Sequence, residues 1–200
     1  MEKIAKRGFD IAASLLALLF LAPVLLVIAV IIKVKDGGPV LYAQTRVGKD
    51  FVPFKLLKFR TMVVGASDIG PAITVDGDER VTKIGKVLRK YKLDELPQLI
   101  NVLKGDMSIV GPRPEDPRYV QMFSDDYAVI LRMKPGITDY ATLEYRNEER
   151  ILAEYDDPEL AYIEVILPRK IELSKSYITE QNFFRDIIII LKTMLKIVSG

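Results

Sequence analysis

The sequence predicts an α/β fold that is mostly helical, with a small β-hairpin, in a single membrane-associated domain. Three observations support this prediction: a long uncharged apolar run near the N-terminus, one alternating segment after it, and several helical patterns further on. Half of the 200 residues are hydrophobic and 28% are charged, which excludes a disordered chain and a membrane protein with many spans. We therefore divide the chain into a membrane segment, residues 1–36, and a folded domain, residues 37–200.

The membrane segment contains a run, residues 11–32, without a single charged side chain. As a straight helix this run would be about 33 Å long, and the hydrocarbon core of a bilayer is about 30 Å thick. The run is too long for the apolar part of a cleaved signal peptide, and the acidic Asp10 precedes it. A soluble helix of this length would also show a polar face. The run therefore predicts insertion into a membrane.

Both flanks of this run are basic, and a proline lies near its middle. The flanking cations are Lys3, Lys6, Arg7, Lys33 and Lys35. Basic residues prefer the cytoplasmic side of a membrane, and Pro23 removes a helical hydrogen bond and favours a kink. The residues alone leave two interpretations open. One is a re-entrant helix kinked at Pro23 with both ends in the cytoplasm, and the other is a single span that tolerates the proline.

The remaining sequence alternates in one segment and otherwise has mostly helical spacing. Residues 40–59 alternate around Gly48-Lys49-Asp50 and predict a β-hairpin, while residues 64–79 predict a mobile loop where substrates enter. Helices are predicted over 81–92, 97–104, 117–132, 146–156, 158–177 and 183–198. The first and last of these are amphipathic, and we expect them to lie at a membrane surface. The alternatives are a solvated face for the first and packing in the core for the last.

The composition restricts the chemistry that this chain can perform. Cysteine and histidine are both absent, which excludes thiol nucleophiles, histidine-based triads and the usual zinc sites. Any metal should be a hard ion with oxygen ligands, such as Mg²⁺. Residues 40–114 carry 13 basic and 8 acidic side chains, a balance that suits an anionic ligand. We find no known nucleic-acid-binding module and expect no nucleic-acid partner.

An acidic pair, Asp94-Glu95, lies in this basic region just before the helix predicted from Pro97. A carboxylate near a helix N-terminus is expected to stay ionised, and an ionised aspartate can act as a nucleophile toward a phosphoryl group. Its charge would repel a diphosphate, so Mg²⁺ and cationic side chains are needed. The available cations are Lys58, Arg60, Arg80, Arg89 and Arg113. The alternative is that both carboxylates only cap the helix.

Residues 92–115, KLDELPQLINVLKGDMSIVGPRPE, resemble the signature of the bacterial sugar transferase family, the monotopic phosphoglycosyl transferases that act on polyprenyl phosphates. Further matches extend over nearly the whole chain, among them Lys6-Arg7 with Asp10, Lys58-Phe59-Arg60-Thr61-Met62 and Lys134-Pro135-Gly136-Ile137-Thr138. One departure concerns residues 139–142, where the family commonly has Gly-x-Ala-Gln and this chain has Asp-Tyr-Ala-Thr. That departure leaves the identity of the sugar open.

The resemblance implies transfer of a sugar 1-phosphate from a UDP-sugar to polyprenyl (undecaprenyl) phosphate with release of UMP, the first membrane step of bacterial glycoconjugate assembly. It implies that Asp94 is the nucleophile, forming a covalent phosphosugar intermediate in a ping-pong reaction, and that Glu95 completes the catalytic pair. It implies a requirement for Mg²⁺, for which Asp94 and Glu95 are the expected ligands. It also implies a monotopic protein on the cytoplasmic face of the bacterial inner membrane, held by a helix that is broken at the proline and re-enters the cytoplasm.

Five further residues are candidates for binding the substrate. We expect Lys58, Arg89 and Arg113 to contact phosphate, with the arginines favoured for their fork geometry. Arg80 either contacts phosphate or forms an ion pair with Asp78 or Glu79. Asp186 either contributes to the site from a distance or caps or pairs within the last helix.

The expected partners are a UDP-sugar donor, a polyprenyl phosphate acceptor and membrane lipid, and a homo-oligomer is left open. Two other functions also stay open. One is a Mg²⁺-dependent hydrolase that uses Asp94 but passes the phosphosugar to water, and the other is a non-enzymatic membrane scaffold. The sequence predicts no additional spanning or glycosyltransferase domain, as expected of a minimal member of the family.

Overall fold

The computed structural model describes residues 2–66, 69–70 and 73–198 and is mostly helical, with one antiparallel hairpin, as predicted. The strands are β1 (Leu41–Val47), β2 (Pro53–Phe59), β3 (Ser108–Val110) and β4 (Gly136–Thr138). The helices are α1 (Glu2–Lys35), α2 (Lys83–Lys90), α3 (Gln98–Lys104), α4 (Pro117–Met122), α5 (Ser124–Ile130), α6 (Tyr140–Glu144), α7 (Glu148–Leu152), α8 (Pro158–Ala161), α9 (Leu167–Glu180) and α10 (Phe183–Val198). Single 3₁₀ turns cover Lys49–Phe51 and Leu93–Glu95, and a π-helical turn covers Tyr162–Ile166.

The predicted hairpin is confirmed, and its strands pair in register from end to end. Leu41 of β1 lies opposite Phe59 of β2, and Val47 lies opposite Pro53. The backbone N–H of Arg60 donates to the carbonyl of Val40 at 2.9 Å, which continues the ladder one residue past β2. Side chains two residues apart on a strand project from the same face. The hairpin therefore directs the side chains of residues 58 and 60 to one side.

A second pair of strands was not predicted, because three-residue strands are too short to show alternation. β3 and β4 lie parallel, with Ser108 opposite Gly136 and Val110 opposite Thr138. A Cβ atom on Gly136 would overlap the backbone of Gly111, so only glycine permits this close approach. Because the strands are parallel, the segments that follow them, 111–114 and 139–142, meet at one edge.

The long N-terminal helix α1 is long and apolar enough to cross a membrane, judged by its length and composition. Pro23 lies inside it, and many apolar side chains of its middle part are exposed, such as Leu19 and Phe20. The helix is attached to the folded domain near its N-terminal end. Arg7 donates to the carbonyls of Val102 (2.6 Å) and Leu103 (3.0 Å) in the last turn of α3.

Two further contacts strengthen this attachment. The buried carboxylate of Asp10 accepts hydrogen bonds from the Ser108 hydroxyl (2.8 Å) and the Ile109 N–H (3.1 Å). Lys6 donates to the carbonyl of Val110 at 3.0 Å. The residues that match the start of the family pattern therefore fasten α1 to β3.

The C-terminal part of α1 also contacts the folded domain. Ile28 and Ile32 are buried in a cluster with Phe59 of β2 and Leu88 of α2. Lys33 donates to the carbonyl of Gly38 at 3.0 Å. Both ends of α1 are therefore attached to the same domain, with the exposed apolar stretch between them.

The structure changes several predicted helix boundaries. The predicted helix 117–132 is two helices, α4 and α5, which meet at Phe123. The helix predicted over 146–156 is confirmed only over its middle part, because α7 covers Glu148–Leu152 and turns lie on both sides of it. Asp157 accepts hydrogen bonds from the N–H groups of Glu159 and Leu160 and so begins the next helix, α8, directly after this segment. The predicted helix 158–177 extends to Glu180 and includes the π-helical turn.

Candidate active site

A cavity of about 910 Å³ lies beside the hairpin and receives six of the seven predicted site residues. These are Lys58, Arg80, Arg89, Asp94, Glu95 and Arg113. In the part of the chain that the structure describes, the seventh, Asp186, does not line this cavity. Its carboxylate accepts from Lys6 (2.5 Å) and from the Tyr177 hydroxyl (2.8 Å). Asp186 thus contributes to the attachment of α1, and its expected role at the site stays a prediction.

Asp94 and Glu95 lie on the 3₁₀ turn between α2 and α3, as expected from their position before Pro97. The turn follows Lys92, whose φ of 55° is in the left-handed region that non-glycine residues rarely adopt. Leu93 packs against the apolar cluster of α1, β2 and α2, which fixes the start of the turn. The turn therefore holds the Asp94 side chain buried, with 6% of the residue exposed.

A buried amide joins this turn to the hairpin. The Asn101 side chain in α3 donates to the Lys55 carbonyl (2.8 Å) and accepts from the Leu57 N–H (3.0 Å). These bonds use the backbone of β2 and so fix α3 beside the strand. Lys58, the next residue along β2, is thereby placed next to Glu95. Sequence analysis missed the role of Asn101, since nothing in its spacing indicates a partner that lies 46 residues away.

Glu95 is held by two cations from different elements. Arg113 donates to both carboxylate oxygens, to Oε2 at 3.1 Å and to Oε1 through Nη2, and Lys58 donates to Oε1 at 3.2 Å. Burial would raise the pKa of Glu95, but the charges of Arg113 and Lys58 outweigh it and hold that pKa well below its usual value. Burial lowers the pKa of Lys58, and the charge of Glu95 raises the pKa of Arg113. We call this triad, Lys58, Glu95 and Arg113, the clamp.

Asp94 is in the opposite situation to its neighbour. Its Oδ1 atom is buried and has no hydrogen-bond partner among the described residues. Burial first, and then the charge of Glu95, raise the pKa of Asp94 to about 6. Burial thus opposes the expected ionisation of this carboxylate without abolishing it at neutral pH. At pH 7 the group is still mostly ionised, but it is poorly stabilised in that form.

Asp94 and Glu95 leave few carboxylate oxygens free to bind a metal ion. In the described ranges, no group of three or more acidic side chains comes together as a metal site. The unpartnered oxygen of Asp94 fits a cation, whereas both oxygens of Glu95 already accept hydrogen bonds from Arg113 and Lys58. Mg²⁺ commonly takes only one or two carboxylates and completes its shell with water and phosphate oxygens. The residues therefore fit Mg²⁺ through Asp94, and a ligand role for Glu95 stays a prediction.

The two remaining predicted arginines already have carboxylate partners. Arg89 donates to the Thr61 hydroxyl (2.9 Å) and to Glu149 (2.7 Å). Arg80 forms an ion pair with Asp78 at 2.7 Å, which is the alternative that the sequence left open. A hydrogen bond from Arg80 lowers the pKa of Asp78. Contact of either arginine with phosphate stays a prediction.

Arg80 also braces the loop that was predicted to be mobile. It donates to the carbonyls of Ala66 (3.2 Å) and Ile73 (3.3 Å), both of which lie within that loop. Residues 67–68 and 71–72 of the loop lie outside the described residues, and its predicted mobility is untested.

The position of Arg113 depends on residues 139–142, the segment that departs from the family pattern. Asp139 is completely buried and accepts hydrogen bonds from the Arg113 N–H (3.2 Å), the Thr142 N–H (2.7 Å) and the Thr142 hydroxyl (2.8 Å). Asp139 follows β4 and Arg113 follows β3, so the parallel strands bring the two segments together. The departure thus has a structural consequence, because it fixes the backbone from which Arg113 reaches Glu95.

A second polar network, not anticipated from the sequence, lines another part of the cavity. Lys170 is 8% exposed and donates to Glu148 (2.7 Å) and to the Tyr162 hydroxyl (3.2 Å). The Tyr162 hydroxyl in turn donates to Glu115 at 2.5 Å. Tyr162 begins the π-helical turn, a feature that often marks functional sites. This turn is the structural feature that points to the network, and the sequence carries no pattern that would have predicted it.

Comparison with known proteins finds relatives along the whole chain, and two of them are named for a reaction with undecaprenyl phosphate. Residues 1–200 match the family model described as bacterial sugar transferase. The chain is 38% identical to the UDP-N-acetylgalactosamine-undecaprenyl-phosphate N-acetylgalactosaminephosphotransferase of Aeromonas hydrophila, a match covering 98% of this chain and 44% of that protein. It is 38% identical to the UDP-glucose:undecaprenyl-phosphate glucose-1-phosphate transferase of Escherichia coli (strain K12), covering 98% of this chain and 40% of that protein.

A shorter relative matches over most of its own length. The chain is 34% identical to the exopolysaccharide production protein ExoY of Rhizobium meliloti (strain 1021), covering 95% of this chain and 84% of that protein. By contrast, the chain spans less than half the length of the two named transferases.

Proposed function

This chain belongs to the bacterial sugar transferase family, and we propose that it transfers a sugar 1-phosphate from a UDP-sugar to undecaprenyl phosphate. One observation carries the proposal: a buried carboxylate, Asp94, with an unpartnered oxygen, faces a cation-lined cavity. Two relatives are named for this reaction with different sugars, so the donor sugar of this chain stays open.

In the first step we propose that a carboxylate oxygen of Asp94 attacks the β-phosphorus of the UDP-sugar. The new bond joins Asp94 to the phosphosugar, and the bond between the β-phosphorus and the bridging oxygen breaks, so UMP leaves. The unpartnered oxygen supports this role, because no hydrogen bond has to be given up before attack. A carboxylate disfavoured by burial is also a stronger nucleophile than a fully solvated one.

In the second step a phosphate oxygen of the lipid attacks the same phosphorus, and the bond to Asp94 breaks. The product is a polyprenyl diphosphate sugar, and Asp94 returns as a carboxylate. Arg113, held by Glu95, presents a fixed cation beside the reacting phosphorus. Before the first step, Mg²⁺ held by Asp94 and by Glu95, its predicted ligands, would neutralise the charge of the donor diphosphate.

We propose that α1 is the predicted re-entrant anchor at the cytoplasmic face of the inner membrane. Asp10 and Ile28, which both contact the folded domain, are 18 residues apart and so about 27 Å apart along a straight helix. A bilayer core is about 30 Å thick, so a spanning helix could not bring both positions to a domain on one side. The exposed apolar stretch around Leu19 and Phe20 is the part that would enter lipid.

The cysteine-free chain allows a direct test of this topology. We expect Glu2→Cys and Arg132→Cys to be labelled from the same side of the membrane, because re-entrance keeps both ends with the folded domain. The measurement is labelling with an impermeant maleimide in intact cells and in inverted vesicles. Labelling of the two variants from opposite sides would establish a single span instead.

Two amphipathic helices support contact with the membrane surface. α10 exposes Phe184 (80%) and Leu195 (69%). α2 exposes Val87 beside its lysines, and Tyr91, directly after α2, is exposed as well. Such faces suit the boundary between head groups and acyl chains. We propose that both helices lie at that boundary, as the sequence predicted.

Activity should depend on pH through Asp94. Its pKa is raised to about 6, and only the ionised form can attack phosphorus, so the rate of UMP release should fall as pH drops from 7 to 5. We expect about a tenfold lower rate at pH 5 than at pH 7. The measurement is single-turnover UMP release at saturating donor. A rate that stays constant down to pH 5 would contradict the raised pKa.

The reaction itself is tested by UMP release from a panel of UDP-sugars, with Mg²⁺, with and without undecaprenyl phosphate. Sustained release that needs one UDP-sugar and the lipid supports the transferase. Sustained release without lipid would instead identify the hydrolase. No release from any donor, and no mass increase on Asp94, would favour the scaffold.

A further inference from the structure

We propose that Arg60 binds the phosphate of the lipid acceptor at the end of the cavity next to α1. The inference rests on the proposed transferase function and concerns only its second substrate. Arg60 lines the cavity and directly follows β2.

Arg60 is buried and forms no ion pair with any carboxylate of the described residues. Only 6% of the residue is exposed, and its Nε and Nη1 atoms have no hydrogen-bond partner among the described residues. Its Nη2 donates to the carbonyl of Gly37. The predicted phosphate-binding cations, by contrast, each contact a carboxylate. A buried guanidinium stays charged, and leaving it unpaired is costly, so a bound anion is expected.

The Arg60 side chain lies where α1 joins the folded domain. Gly37 and Gly38 follow α1 directly, and a Cβ atom on Gly38 would approach Nη1 of Arg60 to 2.5 Å. The guanidinium therefore fills the junction between the proposed membrane anchor and the cavity. A lipid phosphate comes to the site along the membrane, whereas the UDP-sugar comes from water. Arg60 lies on the side from which only the lipid arrives.

Arg60 also lies close along the hairpin to Lys58, which contacts the catalytic pair. Lys58 and Arg60 project from the same face of the hairpin, with their Cα atoms about 7 Å apart. Lys58 contacts Glu95, the neighbour of Asp94. A phosphate held by the free edge of Arg60 is therefore placed on the side of the hairpin that faces the catalytic pair, in the cavity that Asp94 also lines. Its oxygen attacks the phosphorus, and the Asp94 bond breaks, with no co-reactant needed.

The test separates the two half-reactions in Arg60→Gln, Arg60→Lys and the matched surface control Arg132→Gln. We expect Arg60→Gln to raise the KM for undecaprenyl phosphate about 10–100-fold, because charge-assisted hydrogen bonds are lost. The single-turnover burst of UMP without lipid should keep the wild-type rate. Arg60→Lys should be intermediate, since an ammonium lacks the fork. An unchanged KM for the lipid, or a burst slowed to the same degree as the lipid step, would overturn the proposal.

A binding measurement keeps this test independent of turnover. In an Asp94→Asn background, undecaprenyl phosphate in detergent micelles should raise the melting temperature, and adding Arg60→Gln should remove that shift. Phosphatidylglycerol in the same micelles should give no shift; an equal shift would assign Arg60 to membrane head groups and overturn the proposal. If Arg60→Gln does not fold, Arg60→Lys decides the question by the same two readouts. Absence of UMP release from the wild type would refute the proposed function, while the binding result would still test Arg60.

Discussion

Replacing Asp94 with asparagine is expected to abolish transfer and, at the same time, to stabilise the fold. Loss of the nucleophile should lower the rate of UMP release by at least about 10⁴-fold. The pKa of the buried carboxyl is raised to about 6, so the folded state disfavours its ionised form. A neutral amide removes that penalty, and we expect about 1–3 kcal/mol of added stability at pH 7.

The stabilisation has a defined pH dependence. Wild-type Asp94 is protonated in the folded state below pH 6, and in the unfolded state below about pH 4. The advantage of Asp94→Asn should therefore shrink as the pH falls from 7 to 4. Thermal melting of both proteins at several pH values measures this, with the exposed Asp156→Asn as the matched control. Equal melting temperatures at pH 7 would show that burial does not disfavour the ionised form of Asp94.

The neighbouring substitution, Glu95→Gln, is expected to change stability in the opposite direction. It would leave the two cations of the clamp, Lys58 and Arg113, without their shared counter-charge. Removing one partner of a buried ion pair costs about 3–5 kcal/mol, which corresponds to a melting temperature lower by about 6–20 °C. The exposed pair between Arg169 and Glu144 supplies a matched control, because Glu144→Gln should cost less than about 1 kcal/mol.

Glu95→Gln should also alter the ionisation of its neighbour. The charge of Glu95 contributes to the raised pKa of Asp94, so its removal should lower that pKa. We expect the low-pH limb of the UMP burst to move to lower pH, while the burst itself slows because Arg113 loses its orientation. A melting temperature equal to that of the wild type, with an unchanged pH profile, would show that the clamp contributes neither stability nor electrostatic coupling.

Local patterns predicted much of this fold. The alternation of residues 40–59 and the stop at Gly105 placed the hairpin and α3 correctly. The parallel pair of β3 and β4 was missed because its strands are too short for any periodicity. The helix predicted over 146–156 is shorter than its apolar spacing suggested, covering Glu148–Leu152, and the cap at Asp157 starts a separate helix after it.

The sequence predicted which residues form the site but not their ion pairs or the direction of their pKa shifts. The signature brought Asp94, Glu95 and Arg113 together within one short stretch of chain. Lys58, however, lies 37 residues from Glu95, and only folding shows that it completes the clamp. Burial of Asp94 is likewise a tertiary property. The sequence alone therefore does not predict that the two adjacent carboxylates differ, whereas in the structure the pKa of Asp94 is raised and that of Glu95 is lowered.

The double attachment of α1 has a consequence for how such an enzyme would meet its lipid. An anchor joined through one flexible linker lets a domain tilt and rotate, so the mouth of the cavity would sample many heights above the bilayer. Here Arg7 binds the end of α3, and Ile32 packs against Phe59 and Leu88. The domain would be mounted at two points and would keep one orientation. The search for the lipid phosphate would then reduce to diffusion in a plane at a constant depth.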